Sequence, residues 1–191
     1  AQAIHYFLRQ TYANKELVIL DDGEDSVDDL VPPDANIYYT LLHKRFSLCD
    51  KRNLACKMGR GQLIAHWDDD DWQHRERLAE QVYALTTTRA DVCGLETEIY
   101  LDVRTREVRR YSLEDVSPGT NYVPGNTLLY TRAFWEKKLF DVPGDVGEDA
   151  RFTLEPPIPR VTKYIKKPLV VGIVHGKNIA PKRFEASIWK A

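Results

Sequence analysis

The N-terminal part of the chain alternates between helical spacing and short apolar runs. Residues 4–8 carry apolar side chains at helical spacing, and residues 16–20 form a short apolar run that ends at an acidic pair and a glycine. This pattern predicts a helix followed by a buried strand. Polar residues 24–36 are typical of a surface connection, after which residues 37–42 predict a second strand.

Two further helices are indicated before the middle of the chain. Ser47 with Asp50 resembles a helix-capping box, and the glycines that follow Met58 predict that this helix spans residues 47–58. Residues 62–67 predict the next strand. Apolar residues at helical spacing around 78–85 then predict a third helix.

The second half of the chain is less regular. Residues 92–103 and 107–113 predict a pair of strands around a turn, and residues 126–130 predict another strand. A short helix is expected after Glu148. The apolar run over residues 169–174 predicts a final buried strand.

The order of these elements predicts the fold class. Alternating strands and helices indicate an α/β three-layer sandwich with a mostly parallel central sheet. A length of 191 residues predicts one domain over residues 1–191. Because the chain lacks an initiator methionine and begins inside a predicted helix, we expect this domain to be truncated at its N-terminus.

Composition and charge exclude several classes of protein. Lys and Arg number 27 against 29 Asp and Glu, so the basic excess of a nucleic-acid-binding protein is missing. No apolar run reaches the roughly 18–20 residues of a membrane span, so no transmembrane segment is expected. The three cysteines lack C-x-x-C spacing and are expected to be buried in a reducing compartment. We expect a cytoplasmic location, including the inner face of the membrane.

Four consecutive aspartates, residues 68–71, follow one predicted strand. Each close pair of like charges costs about 1 kcal/mol even in water, so a cation is expected to offset the repulsion. Asp68 and Asp70 point the same way in an extended segment, and their oxygens suit Mg²⁺ or Mn²⁺. An EF-hand loop is excluded because its glycine and glutamate positions are not matched. The alternative is that Asp69 and Asp71 are solvated and Asp71 caps the next helix.

Four motifs occur in order along the chain. They are LVILDDG (Leu17–Gly23), KRNLA (Lys51–Ala55), IAHWDDDDW (Ile64–Trp72) with RERL (Arg75–Leu78), and GED (Gly147–Asp149). Together they resemble the family 2 inverting glycosyltransferases, which have the GT-A fold. The resemblance implies metal-dependent transfer of a hexosyl or N-acetylhexosaminyl group from a nucleotide-sugar, expected to be a UDP-sugar, to a glycan, lipid or protein acceptor.

The resemblance also implies the roles of individual charged residues. The nucleotide-sugar would be bound by Asp21, Asp22, Arg52, Asp68 and Asp69. The cation, Mn²⁺ or Mg²⁺, would be bound by Asp68, Asp70 and His175. The catalytic carboxylates would be Glu148 and Asp149, with Asp149 as the base that takes the proton of the acceptor hydroxyl.

Each of these residues also has an ordinary structural interpretation. Glu148 and Asp149 suit the acidic first turn of a helix, and a histidine such as His175 at a strand end is often a hydrogen-bonding residue. Arg52 could lie on a solvated helix face. Trp67 could form a sugar-binding wall or belong to the core.

Two alternatives concern the whole protein. A nucleotidyltransferase also places carboxylates at strand ends, but the glycine-rich phosphate loop expected of one is not visible. A non-catalytic sugar- or protein-binding module of the same fold is the second alternative. One difference from the family suggests this alternative. Members of the family begin with a strand, and this sequence has no residues before Ala1 that could form it.

Overall fold

The computed structural model describes residues 2–142, 146–164, 167–178 and 190. Within them the helices are α1 (Gln2–Leu8), α2 (Leu48–Met58), α3 (Arg77–Thr88), α4 (Leu113–Val116), α5 (Arg132–Trp135) and α6 (Glu148–Leu154). The strands are β1 (Leu17–Asp21), β2 (Ile37–Leu41), β3 (Leu63–Ala65), β4 (Trp72–Gln73), β5 (Val92–Leu95), β6 (Thr97–Asp102), β7 (Val108–Ser112), β8 (Leu129–Thr131), β9 (Val161–Tyr164) and β10 (Val170–Val174). No helix in this part of the chain combines the length and the apolar character that crossing a membrane requires.

The strands pair in three groups, with orders β1–β2, β3–β8–β5–β9 and β4–β10–β6–β7. The pairs β1 with β2, β5 with β9 and β6 with β10 are parallel, and the other four are antiparallel. The α/β class is confirmed, but the pairing is mixed rather than mostly parallel. Only residues 103–107 join β6 to β7, which is too short for the crossover that a parallel pair needs, so these strands form a hairpin.

Two strand predictions need correction in detail. The strand predicted over 92–103 is divided at Glu96, whose N–H donates to the Tyr164 carbonyl and whose carbonyl accepts from the Leu113 N–H. These bonds make Glu96 the junction between two of the strand groups. The strand predicted over 126–130 begins later, at Leu129. The N–H and the hydroxyl of Thr127 both donate to the Pro124 carbonyl, so Gly125–Thr127 forms a 3₁₀ turn.

The predicted second helix is confirmed as α2. The Ser47 hydroxyl accepts a hydrogen bond of 3.0 Å from the Asp50 N–H, which satisfies one of the free donors at the helix start. Cys49 and Cys56 face the core from this helix, and Cys93 is also buried. The three cysteines are free thiols, and their burial confirms the prediction from the sequence. This anchored helix presents Lys51 and Arg52 to the cleft described below.

An aromatic cluster fixes the position of α6. Phe152 from α6 is 1% exposed and stacks on Phe140 at a ring-centroid distance of 4.4 Å. Tyr130 from β8 and Phe134 from α5 pack against the Phe152 ring at centroid distances of 5.0 and 5.2 Å. Because α6 begins with Glu148, this packing sets where that end of the helix lies.

Substituting alanine for Phe152 should lower the free energy of unfolding by about 3–5 kcal/mol, since it leaves a cavity inside the aromatic cluster. Leu154→Ala is the matched control, because Leu154 lies on the same helix and is 45% exposed. Denaturant unfolding monitored by circular dichroism measures both losses. Equal losses in the two variants would contradict the central role of this cluster.

Candidate active site

A cleft of about 1290 Å³ opens where β1, β3 and β10 end, beside helices α2 and α6. All the residues to which the resemblance gives a role in the site line it. They are Asp21, Asp22, Arg52, Asp68, Asp69, Asp70, Glu148, Asp149 and His175. Side chains distant in sequence therefore share one surface, although their individual roles stay predictions.

The two aspartates at the end of β1 differ in their contacts. Asp21 accepts hydrogen bonds from the Gly23 N–H at 2.9 Å, the Tyr39 hydroxyl at 2.8 Å and the Val27 N–H at 3.2 Å. The first two of these bonds hold the pKa of Asp21 below its ordinary value. Asp21 therefore shapes its own loop, which leaves its neighbour as the better candidate for a ligand.

Asp22 forms an ion pair with Lys51. The ammonium of Lys51 lies 3.0 Å from both carboxylate oxygens, and the Phe46 N–H donates to one of them at 3.2 Å. Although burial opposes it, the bond from Lys51 keeps the pKa of Asp22 below its ordinary value. Asp22 is thus an ionised acceptor at the wall of the cleft.

The acidic run divides into members with different surroundings. Desolvation and the like charge of Asp71 raise the pKa of Asp68 to about 6. Asp70 accepts from His175 Nε2 at 2.9 Å, and Asp69 is exposed. The residue types and the concentration of negative charge around Asp68 therefore fit a hard divalent cation.

The predicted metal ligands do not form a ready ligand cluster. Across the residues that the structure describes, no three His, Cys, Asp or Glu side chains are arranged to hold a metal ion. The arrangement does bring together Asp70 and His175, which the sequence separates widely. Asp68 and Asp70 with His175 remain the predicted ligand set.

Asp71 has a structural role. It is buried and accepts from the Asn126 side chain and from the Ile173 N–H, each at 2.9 Å. The alternative in which Asp71 is solvated and caps the next helix is therefore wrong, since α3 begins without a side-chain cap. Asp71 instead ties the acidic run to β10 and to the 3₁₀ turn.

A buried cation lies behind the acidic run. Arg77 is fully buried, and its guanidinium donates to the side chains of Gln73 and Gln81 and to the Asn126 carbonyl. Burial lowers the pKa of Arg77 to about 10, so it stays charged at neutral pH and its charge acts on Asp68. Arg77 belongs to the RERL motif, but no role was expected of it, because an arginine at a helix start is ordinarily solvated.

The acidic pair at the start of α6 points into two different environments. Glu148 pairs with the guanidinium of Arg52, and both side chains are largely buried. Asp149 instead accepts from the Tyr122 hydroxyl and the Gly125 N–H, each at 2.8 Å, through Oδ2. Arg52 therefore neutralises Glu148, whereas Asp149 is held by uncharged donors.

Tyr122 and His66 were missed in the sequence. Tyr122 lies in an irregular segment with no motif around it. His66 lies within the IAHWDDDDW motif but was interpreted only as part of a strand. The His66 ring lies 3.0 Å from the Gly125 carbonyl and 3.1 Å from the Tyr130 hydroxyl. Burial, with the nearby charge of Arg52, lowers the pKa of His66 well below its ordinary value, so its ring is neutral. It supports the Gly125 backbone that contacts Asp149.

Trp67 packs against α1 and also lines the cleft. Its Nε1 donates to the Ala3 carbonyl at 3.0 Å, and its ring meets Phe7 edge-on at 6.4 Å. The same residue lines the cleft. It therefore joins α1 to the cleft wall.

The sequence matches the profile of Glycosyl transferase family 2 over residues 1–147. The fold is similar to that of S. aureus TarS: a structure of TarS 1-349 has a TM-score of 0.71 at 17% identity, covering 90% of this chain and 56% of that one. Its complex with UDP gives 0.71 at 19% identity, covering 91% and 56%. The complex with UDP-GlcNAc gives 0.72 at 19% identity, covering 92% and 54%. Among curated proteins, none matches this chain.

The similarity to TarS confirms the predicted GT-A-like architecture. At these identities it establishes a common fold, and this chain spans little more than half the length of the three TarS structures. The match to the family profile establishes family membership as well, because it covers most of the chain. The chain therefore belongs to glycosyl transferase family 2.

Proposed function

We propose that this chain carries the catalytic site of a metal-dependent, inverting glycosyltransferase that moves a sugar from a UDP-sugar to an acceptor hydroxyl. The observation that carries the proposal is the convergence of Asp22, Asp68, Asp70 and Asp149 on one cleft. A nucleotide-sugar transferase needs carboxylates for two separate tasks, cation binding and proton transfer. A single cleft supplies both.

The donor is proposed to be a UDP-hexose or a UDP-N-acetylhexosamine. TarS, which has the same fold, was solved with UDP and with UDP-GlcNAc, and this supports the choice. Asp22 would accept a hydrogen bond from the nucleoside, beside the loop that Asp21 shapes. Arg52 and Asp69 would lie nearer the diphosphate and the sugar.

Asp68, Asp70 and His175 would hold Mn²⁺ or Mg²⁺. When bound, the cation would neutralise the charge that develops on the leaving diphosphate. The side chains present suit this task, because carboxylate oxygens are hard ligands and neutral imidazole is a common metal ligand.

Asp149 is proposed as the general base. Its carboxylate would take the proton of the acceptor hydroxyl as the acceptor oxygen bonds to the sugar carbon and the bond from that carbon to the UDP oxygen breaks. Glu148 is the weaker candidate, because its charge is already paired with Arg52. The acceptor is proposed to be a hydroxyl of a glycan, a lipid or a protein.

Isothermal titration calorimetry of UDP, with Mn²⁺ and with EDTA, tests the proposal most directly. A catalytic domain should bind UDP with Mn²⁺ present and much more weakly in EDTA. Absence of UDP binding in both conditions would favour a non-catalytic module of the same fold.

Asp22→Ala should weaken nucleoside binding with or without metal, by roughly tenfold, because it removes a charged hydrogen-bond acceptor. Titration with uridine in EDTA isolates this contribution, since uridine has no phosphates for a cation to bind. Asp141→Asn is the control, because Asp141 lies outside the cleft and its side chain is 84% exposed. Unchanged uridine binding in Asp22→Ala would remove Asp22 from the nucleoside site.

A further inference from the structure

We infer that Tyr122 is a positioning residue, whose hydroxyl holds the Asp149 carboxylate in the orientation that proton transfer requires. The inference rests on the function proposed above, since it assigns Tyr122 a task in the same reaction. Tyr122 lies in the irregular segment between α4 and the 3₁₀ turn, and Asp149 lies in the first turn of α6. One hydrogen bond therefore links two separately anchored elements.

The hydrogen bonds to Asp149 are unequal at its two oxygens. Oδ2 accepts from the Tyr122 hydroxyl and from the Gly125 N–H, each at 2.8 Å. Oδ1 accepts from the Ala150 N–H at 2.7 Å. A carboxylate oxygen accepts about two hydrogen bonds, so Oδ2 is filled and Oδ1 keeps one lone pair. The geometry assigns proton transfer to Oδ1.

Tyr122 acts as a donor and not as a second base. Its burial and the charge of Asp149 raise its pKa above the ordinary value, so its hydroxyl keeps its proton at neutral pH. In the transfer step, the acceptor proton moves to Asp149 Oδ1 and the acceptor oxygen bonds to the sugar carbon. The electron pair of the broken sugar–oxygen bond leaves on UDP. The hydroxyl of Tyr122 remains bonded to Oδ2 throughout.

Neighbouring side chains hold the second donor to Oδ2, the Gly125 N–H, in place. The Gly125 carbonyl lies 3.0 Å from His66 Nδ1, and a Cβ added at Gly125 would lie 3.3 Å from an Arg52 guanidinium nitrogen and 3.4 Å from Asp149 Oδ2. The Gly125 N–H is therefore a rigid reference point. Without the Tyr122 hydroxyl, Oδ2 would keep only the Gly125 N–H and Oδ1 the Ala150 N–H, so the orientation of the carboxylate would be less firmly fixed.

The test compares Tyr122→Phe with Tyr164→Phe in the full chain. Tyr164 is also buried, and its hydroxyl is bonded to the carboxylate of Glu80. Unlike Tyr122, Tyr164 and Glu80 both lie outside the cleft. The assay measures UDP released from UDP-GlcNAc with Mn²⁺ and water as the acceptor. Tyr122→Phe should lower kcat roughly tenfold with KM for the donor little changed, because misorientation of a reacting group acts on the chemical step. Tyr164→Phe should leave kcat unchanged.

A cycle of unfolding free energies checks the contact without any need for turnover. The loss caused by Tyr122→Phe should be clearly smaller in an Asp149→Ala background than in the wild-type chain, because the partner is already gone. Additive losses would overturn the inference, as would an unchanged kcat in Tyr122→Phe. A rise in KM at constant kcat would also overturn it. A wild-type chain that releases no UDP would instead overturn the proposed function, and the cycle would still decide whether Tyr122 holds Asp149.

Discussion

Asp149→Asn should reduce turnover by roughly 10²–10⁴-fold, the usual contribution of a general base, while donor affinity changes little. Asparagine keeps the size of the side chain and one oxygen to which Tyr122 and Gly125 can donate. It cannot take the acceptor proton. An interaction needed only in the transition state is then lost, which lowers kcat rather than raising KM.

The measurement is steady-state release of UDP from UDP-GlcNAc with Mn²⁺, together with calorimetric binding of UDP to the same variant. Asp141→Asn is a suitable control, because it makes the same chemical change at an exposed carboxylate outside the cleft. Near wild-type turnover in Asp149→Asn would show that the base lies elsewhere. Glu148→Gln would then be the next variant, although its charge pairs with Arg52.

The ends of the early strands and of α2 could be predicted because local signals agree there. The run before Asp21 becomes β1, and the capping pair Ser47 and Asp50 begins α2. Each signal lies within a few residues of the element that it specifies. The hairpin of β6 and β7 had a local signal in its short turn, but the pairing of β10 with β4 and with β6 had none, since these strands are far apart in sequence.

The candidate site follows the same division. The acidic residues were found because four aspartates in a row are unusual and follow an apolar run. Their differences were not predictable, since they depend on partners from distant segments. Asn126 and the Ile173 N–H bind Asp71, whereas His175 contacts Asp70. The burial of Arg77 likewise depends on acceptors from other elements, among them the Asn126 carbonyl.

Hydrogen-bond and ion-pair partners also decide which carboxylates are free for chemistry. Asp21 accepts hydrogen bonds from a backbone N–H and a hydroxyl, and Asp71 accepts from a backbone N–H and a side-chain amide. Glu148 is paired with Arg52. Asp70 faces the cleft, where a histidine and an asparagine approach it from the end of β10. The cation-binding prediction therefore depends most on Asp70.

Asp70→Asn should abolish the Mn²⁺-dependent part of UDP binding, because it removes the charge from the predicted cation ligand and keeps the shape of the side chain. Calorimetry of UDP with Mn²⁺ measures this, and the wild-type chain in EDTA gives the metal-free baseline. The variant should bind UDP at that baseline in both conditions. The loss of the carboxylate charge beside His175 should affect stability only slightly, since both side chains are about one-third exposed. Wild-type affinity for UDP with Mn²⁺ in Asp70→Asn would exclude Asp70 from the metal site and leave Asp68 and His175 to be tested next.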